Sequence, residues 1–183
     1  MSVSTTHALY NKFLNRWRQM RDTTTGDITL YPEQYLPAPF VRDEDYEERY
    51  KDYVLRARFY NFTGRTATIL HGLIFKKSPA ITLPPSLEYL LTNTDGNGTL
   101  LEQQCKAVGE EVVITGRAGL LVDYPSVEGD ITEEQKRNMD IAARIVYYKT
   151  EDIINWRHDN TGRLTLAVLR EKVQRETQSI FIV

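Results

Sequence analysis

A chain of 183 residues can hold one domain with a sizeable core, alone or with an extended arm. Hydrophobic residues make up 41% and charged residues 26%, ordinary values for a globular protein, and 23 Lys and Arg against 25 Asp and Glu leave a formal net charge of -2. That balance excludes a protein that coats DNA mainly by neutralising phosphates, but not one past which DNA slides, and the single cysteine, Cys105, excludes an intrachain disulfide.

Leu9, Phe13, Trp17 and Met20 recur at helical spacing within residues 4–21, with Lys12, Arg16, Arg18 and Arg21 between them, which predicts an amphipathic helix that docks on something. Residues 22–42 read as an extended arm, because three threonines, Gly26, Pro32, Pro37 and Pro39 disfavour regular structure. A second helix is expected from Asp43, with Asp43, Glu44 and Asp45 in its first turn and Tyr46, Tyr50, Tyr53, Ala57 and Tyr60 along one face. The pattern breaks at Asn61-Phe62-Thr63-Gly64 and resumes through Ala67, Leu70 and Ile74 until Pro79 stops it.

A Pro-bounded extended piece at 80–84 and a short helix at 87–91 lead to the loop Asn93-Thr94-Asp95-Gly96-Asn97-Gly98. Thr99 and Glu102 predict a capping box for a helix to about Thr115, closed by Gly116. Residues 118–123 read as a buried strand. Thr132 with Gln135 predicts another capped helix through Ala143, followed by a strand at 145–148. Residues 155–158 and 164–170 form an expected hairpin around Asp159-Asn160-Thr161-Gly162, and 178–183 has the composition of a further strand. Its apolar end, Ile180 to Val183, is expected to be tucked into a sheet or, on our preferred reading, to continue into a longer chain.

No P-loop motif is present, which excludes a P-loop motor, and His7, His71 and His158 lack metal-ligand spacing. The run from Asn93 to Leu100 mimics the start of a calcium loop, but Gln104 stands where a bidentate glutamate is required. Asp123 at a strand end is the one feature a metal-dependent nuclease could use, and the next strand offers Tyr147, Tyr148 and Lys149 without a second acid. The tyrosines at helical spacing read as packing rather than base stacking. The N-terminus lacks a signal peptide's blocks and no apolar run reaches the ~18–20 residues that span a bilayer, so cytoplasmic synthesis and no membrane partner are expected.

Several stretches together carry a resemblance. They are Tyr35-Leu36-Pro37, the run from Tyr53 to Thr66, the run from Leu70 to Pro79, Gly116-Arg117-Ala118-Gly119-Leu120-Leu121-Val122-Asp123-Tyr124-Pro125, and the run from Tyr148 to Arg157. In this order they resemble the DUF4055 family of tailed-phage portal-like proteins over most of residues 10–175. The resemblance implies an α+β, portal wing-like module: long helices packed on a small mixed or antiparallel sheet, preceded by an N-terminal helix and arm. Residues 1–42 would be the helix and arm, and 43–183 the wing-like domain, ending before the stem and clip.

It also implies a structural subunit of the portal ring at the capsid vertex of the virion. The ring would be a conduit for genome packaging and ejection and an attachment point for motor and tail, with no enzymatic activity and no cofactor or metal. The implied partners are further copies in a dodecameric ring, the major capsid protein, the head-tail adaptor, the large terminase subunit through regions outside this sequence, and double-stranded DNA in the channel. Trp17, Tyr46, Tyr50 and Trp156 are the expected packing or interface residues, and Arg56, Arg58 and Arg65 are expected to bridge subunits through charge-assisted hydrogen bonds. The alternatives are another virion or host interaction module of α+β type, or the nuclease around Asp123.

Overall fold

The computed structural model describes residues 3–124, 142–171 and the backbone of 179–182. The fold is α+β. Helix α1 (Ala8–Thr25) begins at His7, whose Nδ1 accepts from Leu9 N at 3.1 Å, and ends at Gly26, whose φ of 92° makes the left-handed cap that other residues resist. Its buried face is Tyr10 and Trp17, flanked by Phe13 and Leu14, whereas the expected Leu9 and Met20 lie exposed. Tyr10, Phe13, Leu14 and Trp17 share one stripe at i, i+3, i+4 and i+7, and that stripe meets the sheet. The helix docks on its own chain: Ile154 and Val168 complete the core, with Trp156 and Leu166 packed against it.

Residues 22–42 are not an extended arm throughout. Helix α1 continues to Thr25, a 3-10 turn covers Asp27–Leu30, and α2 (Pro32–Tyr35) adds one helical turn. Pro32 stands at the first position of α2, where its missing N–H leaves nothing unsatisfied. Helix α3 (Tyr46–Arg56) starts three residues later than expected, with Glu47 and Glu48 in its first turn. Helix α4 (Phe62–Ile74) starts inside the predicted break, because Asn61 caps it by accepting from Gly64 N at 2.6 Å.

Helices α1, α4 and α5 (Leu101–Thr115) pack pairwise, and glycines mark two of the contacts. A Cβ on Gly64 would collide with the Thr24 carbonyl of α1, and one on Gly109 would lie 2.7 Å from the Phe75 ring just beyond α4. The predicted capping box at Thr99 is displaced by one residue. Helix α5 starts at Leu101, Gln103 Oε1 accepts from Leu100 N at 3.3 Å, and Thr99 instead donates to Asp95. Glu102 pairs with Lys106 at 2.7 Å.

Strands β1 (Gly119–Asp123) and β2 (Arg144–Tyr148) form an antiparallel pair. The expected burial of β1 is wrong: Leu120 and Val122 are exposed and Leu121 half-buried, since among the described residues β1 pairs with β2 alone and nothing covers its outer face. Strands β3 (Ile153–His158), β4 (Leu164–Glu171) and β5 (Ser179–Ile182) make a second antiparallel sheet in that order. The β3–β4 turn is held by Asp159 Oδ1, which accepts from Thr161 N and Arg163 N at 2.9 Å each, with Gly162 at φ 82°. The predicted helix opened by Thr132 lies outside the described residues.

Candidate interaction surface

In helix α4, Gly64 is buried and Ala67 half-buried on the side that meets α1, and the His71 Nε2 lies 2.9 Å from the Lys106 carbonyl of α5. The opposite face repeats Phe62, Arg65, Ile69 and Leu73 at helical spacing, with Leu70 and Ile74 beside it. Phe62, Ile69 and Leu73 keep 69%, 61% and 63% of their surface exposed. Such a row is not a set of scattered surface apolar residues. It is a contiguous patch, the kind that marks an interaction site. A groove of about 740 Å³ opens at its N-terminal end, lined by Thr24, Phe59, Tyr60, Phe62, Arg65 and Ile69.

The patch is also cationic. Between Tyr53 and Leu87 the sequence holds Arg56, Arg58, Arg65, Lys76 and Lys77 and no Asp or Glu. Among the described residues none of the five pairs with a carboxylate: Arg56 Nε donates to the Asp52 carbonyl at 3.1 Å and Arg58 Nη1 to that of Ala57 at 2.9 Å. Arg65 lines the groove at the N-terminal end of this face, whereas Arg58 lines a neighbouring groove with Ile28, Pro32 and Val54; Phe59 belongs to both, and Arg56 ends α3.

Tyr46 and Tyr50 are together on α3, half-buried and stacked with centroids 5.8 Å apart. Phe40 lies edge-on to Tyr46 and Tyr53, Arg42 sits 5.0 Å over Tyr46, and the Tyr50 hydroxyl donates to the Leu36 carbonyl at 3.2 Å. This cluster fastens α3 to residues 36–42, but α3 itself has only slight contact with the other elements and buries no residue fully.

Trp17 and Trp156 belong to the core instead. They hold the Arg117 guanidinium between them, 4.6 Å and 4.4 Å from the two rings, while its Nη2 donates to the Thr150 and Ile153 carbonyls at 3.1 and 3.0 Å. Burial pulls the Arg117 pKa down from its ordinary value. His7 also stacks on Trp156, with ring centroids 4.2 Å apart.

Beside this clamp lies an ion network that the sequence reading missed. Glu111, 3% exposed, accepts from Arg21 Nη2 at 2.5 Å and from Thr150 N at 3.0 Å. Arg21 also forks onto Glu151, with Nε and Nη2 each at 2.6 Å. Burial alone would raise the Glu111 carboxyl, but the Arg21 and Thr150 hydrogen bonds outweigh it and hold it below the usual glutamate value. Glu151 raises the Arg21 pKa more than burial lowers it, with Glu111 adding to the rise. The Arg21 partner of Glu111 lies 90 residues away, so no local pattern in the sequence points to the pair.

The Asp95 oxygens accept from Asn97 N, Thr99 N and the Thr99 hydroxyl at 2.9, 3.2 and 2.7 Å, so its loop spends the carboxylate on its own backbone. Asp123 sits opposite Arg144 in the β1–β2 register. Among the described residues no three His, Cys, Asp or Glu side chains gather as metal ligands, and no helix is long and apolar enough to cross a membrane. No protein-family model matches this chain, and no curated protein matches it in sequence.

Proposed function

We propose that the chain is a structural subunit of a phage portal ring, a part of the capsid vertex through which the genome enters and leaves. The observation that supports this reading is the unpartnered apolar face of α4, which carries Arg65. A subunit in a ring must offer surfaces to two neighbours, and it needs side chains that pack and pair rather than side chains that react. The ordered resemblance to portal-like proteins adds the identity of the ring. In that setting the protein supplies geometry, and a separate motor supplies the energy for packaging.

The partners on this reading are other copies, the capsid shell, the adaptor, the terminase and the DNA in the channel. A net charge of -2 suits a wall past which DNA moves, since many phosphate contacts would hold it. Electron microscopy of the purified particle tests the proposal: a closed ring of many copies with a central hole is the expected result. A protein that stays monomeric at all concentrations would overturn it.

A further inference from the structure

Two consecutive stretches of the chain carry opposite charge. Residues 27–52 hold eight Asp and Glu against three Arg and Lys, and residues 53–87 hold five Arg and Lys and no acid. Both stretches also expose apolar side chains. On the acidic stretch Leu30, Tyr31 and Val41 are exposed, Val41 by 81%, among the exposed Glu44, Asp45, Glu47 and Glu48. On the basic stretch Phe62, Ile69 and Leu73 are exposed among Arg58, Arg65 and Lys76.

Within one chain the two surfaces do not satisfy each other. Among the described residues the ion pair of the acidic stretch is Asp43 with Arg49, internal to it, and Arg65 of α4, with Arg56 and Arg58 before the helix and Lys76 and Lys77 after it, has no carboxylate partner. We infer that the acidic, apolar surface of residues 27–48 seats on the basic, apolar face of α4 in a second copy of this chain. Each copy carries both halves at different places, so the contact is head-to-tail and repeats, which closes a ring when the rotation fits. Opposite charges set orientation and speed encounter, while the apolar side chains supply the burial. The inference rests on the ring reading and names the surface that would build it.

Sedimentation velocity of the purified chain over a concentration series tests it, with Arg65→Glu plus Lys76→Glu as one variant and Glu44→Arg plus Glu48→Arg as the other. None of these four side chains has a hydrogen bond or ion pair to lose in the described residues. Each variant alone should weaken self-association about tenfold or more, and raising salt from about 0.1 M to about 1 M should weaken the wild type in the same direction. Mixing the two variants should restore assembly, because each then meets a partner of opposite charge. A second measurement is a disulfide trap: Val41→Cys with Ile69→Cys, in a Cys105→Ser background, should give a ladder of cross-linked oligomers.

A wild-type chain that is monomeric throughout overturns this contact and the ring reading together. A wild type that assembles, with variants that assemble equally well and no cross-linked ladder, overturns the contact and leaves the ring standing. Variants that still assemble but lose binding to duplex DNA or to anionic vesicles would give the basic face to those partners and overturn the contact as well.

Discussion

Glu111→Gln removes one negative charge and almost no volume from the junction of α1, α5 and the 3-10 turn at Thr150–Asp152. Glu111 is 3% exposed and accepts hydrogen bonds from Arg21, Thr150 N and the Thr115 hydroxyl at 2.5, 3.0 and 3.1 Å. Removing one member of a buried ion pair costs about 3–5 kcal/mol when the other is left uncompensated. Arg21 is not left so, because Glu151 still grips it in a fork at 2.6 Å and it is 26% exposed. The expected loss is therefore about 2–3 kcal/mol, below that range.

Urea unfolding followed by circular dichroism at neutral pH measures it, with a matching drop in melting temperature of about 4–12 °C for a chain of this size. The pH dependence supplies a second check. A folded-state pKa held below the ordinary 4.5 gives stability that is present above that value and fades as pH falls through the lower folded value. The gap between wild type and variant should be full near neutrality and shrink in acid. A loss under about 1 kcal/mol, or a gap that stays constant into acid, would refute the assignment of Glu111 as an ionised link.

Arg117→Lys keeps the charge but loses the flat group stacked between Trp17 and Trp156 and the fixed geometry of its donors, so a drop of about 1–3 kcal/mol is expected in the same unfolding assay. Two glycines on α4 should respond with opposite sign. Gly64→Ala forces α1 and α4 apart at Thr24 and should cost about 1–3 kcal/mol, whereas Gly72→Ala meets nothing within 4 Å and should gain about 0.4–1 kcal/mol. The Tyr35 hydroxyl donates to Asp22 at 2.6 Å, and this bond pushes its pKa up to about 12. A raised pKa gives stability that is complete below the ordinary value of 10 and lost as pH rises through the folded one, so phenolate absorbance of Tyr35→Phe should show one late-titrating tyrosine fewer than the wild type, in which Tyr50, Tyr147 and Tyr148 are also raised.

Local chemistry made much of this fold legible. The hairpin turn could be read because Asp159 bonds its own backbone and Gly162 takes a positive φ, both decided within five residues. The start of the α3 stripe could be read from the spacing of Tyr46, Tyr50 and Tyr53, but Ala57 and Tyr60, expected on the same face, lie beyond its end at Arg56 and are exposed; the end of α5 could be read from Gly116. What could not be read depends on neighbours far along the chain. Leu120 and Val122 have strand chemistry whether or not anything covers them. Leu9 and Met20 fit a helical stripe as well as Tyr10 and Leu14 do, and only the sheet selects between them. Of the candidate residues, Arg65 falls on the exposed face of α4, Arg58 in a neighbouring groove, Tyr46 and Tyr50 in the cluster of α3 with Phe40, and Trp17 and Trp156 in the core, a sorting that spacing does not contain.

The clamp of Trp17 and Trp156 on Arg117 also sets a timetable for synthesis. At about 5–20 residues per second, residue 156 follows residue 17 by roughly 7–30 s. For that interval α1 is made but its Tyr10, Phe13, Leu14 and Trp17 stripe has no sheet to lie on, and an amphipathic helix with a bare face is a target for chaperones and for other nascent chains. The core closes only when β3 and β4 arrive, so truncations ahead of residue 168 should expose the stripe, and slow stretches of translation would lengthen the danger.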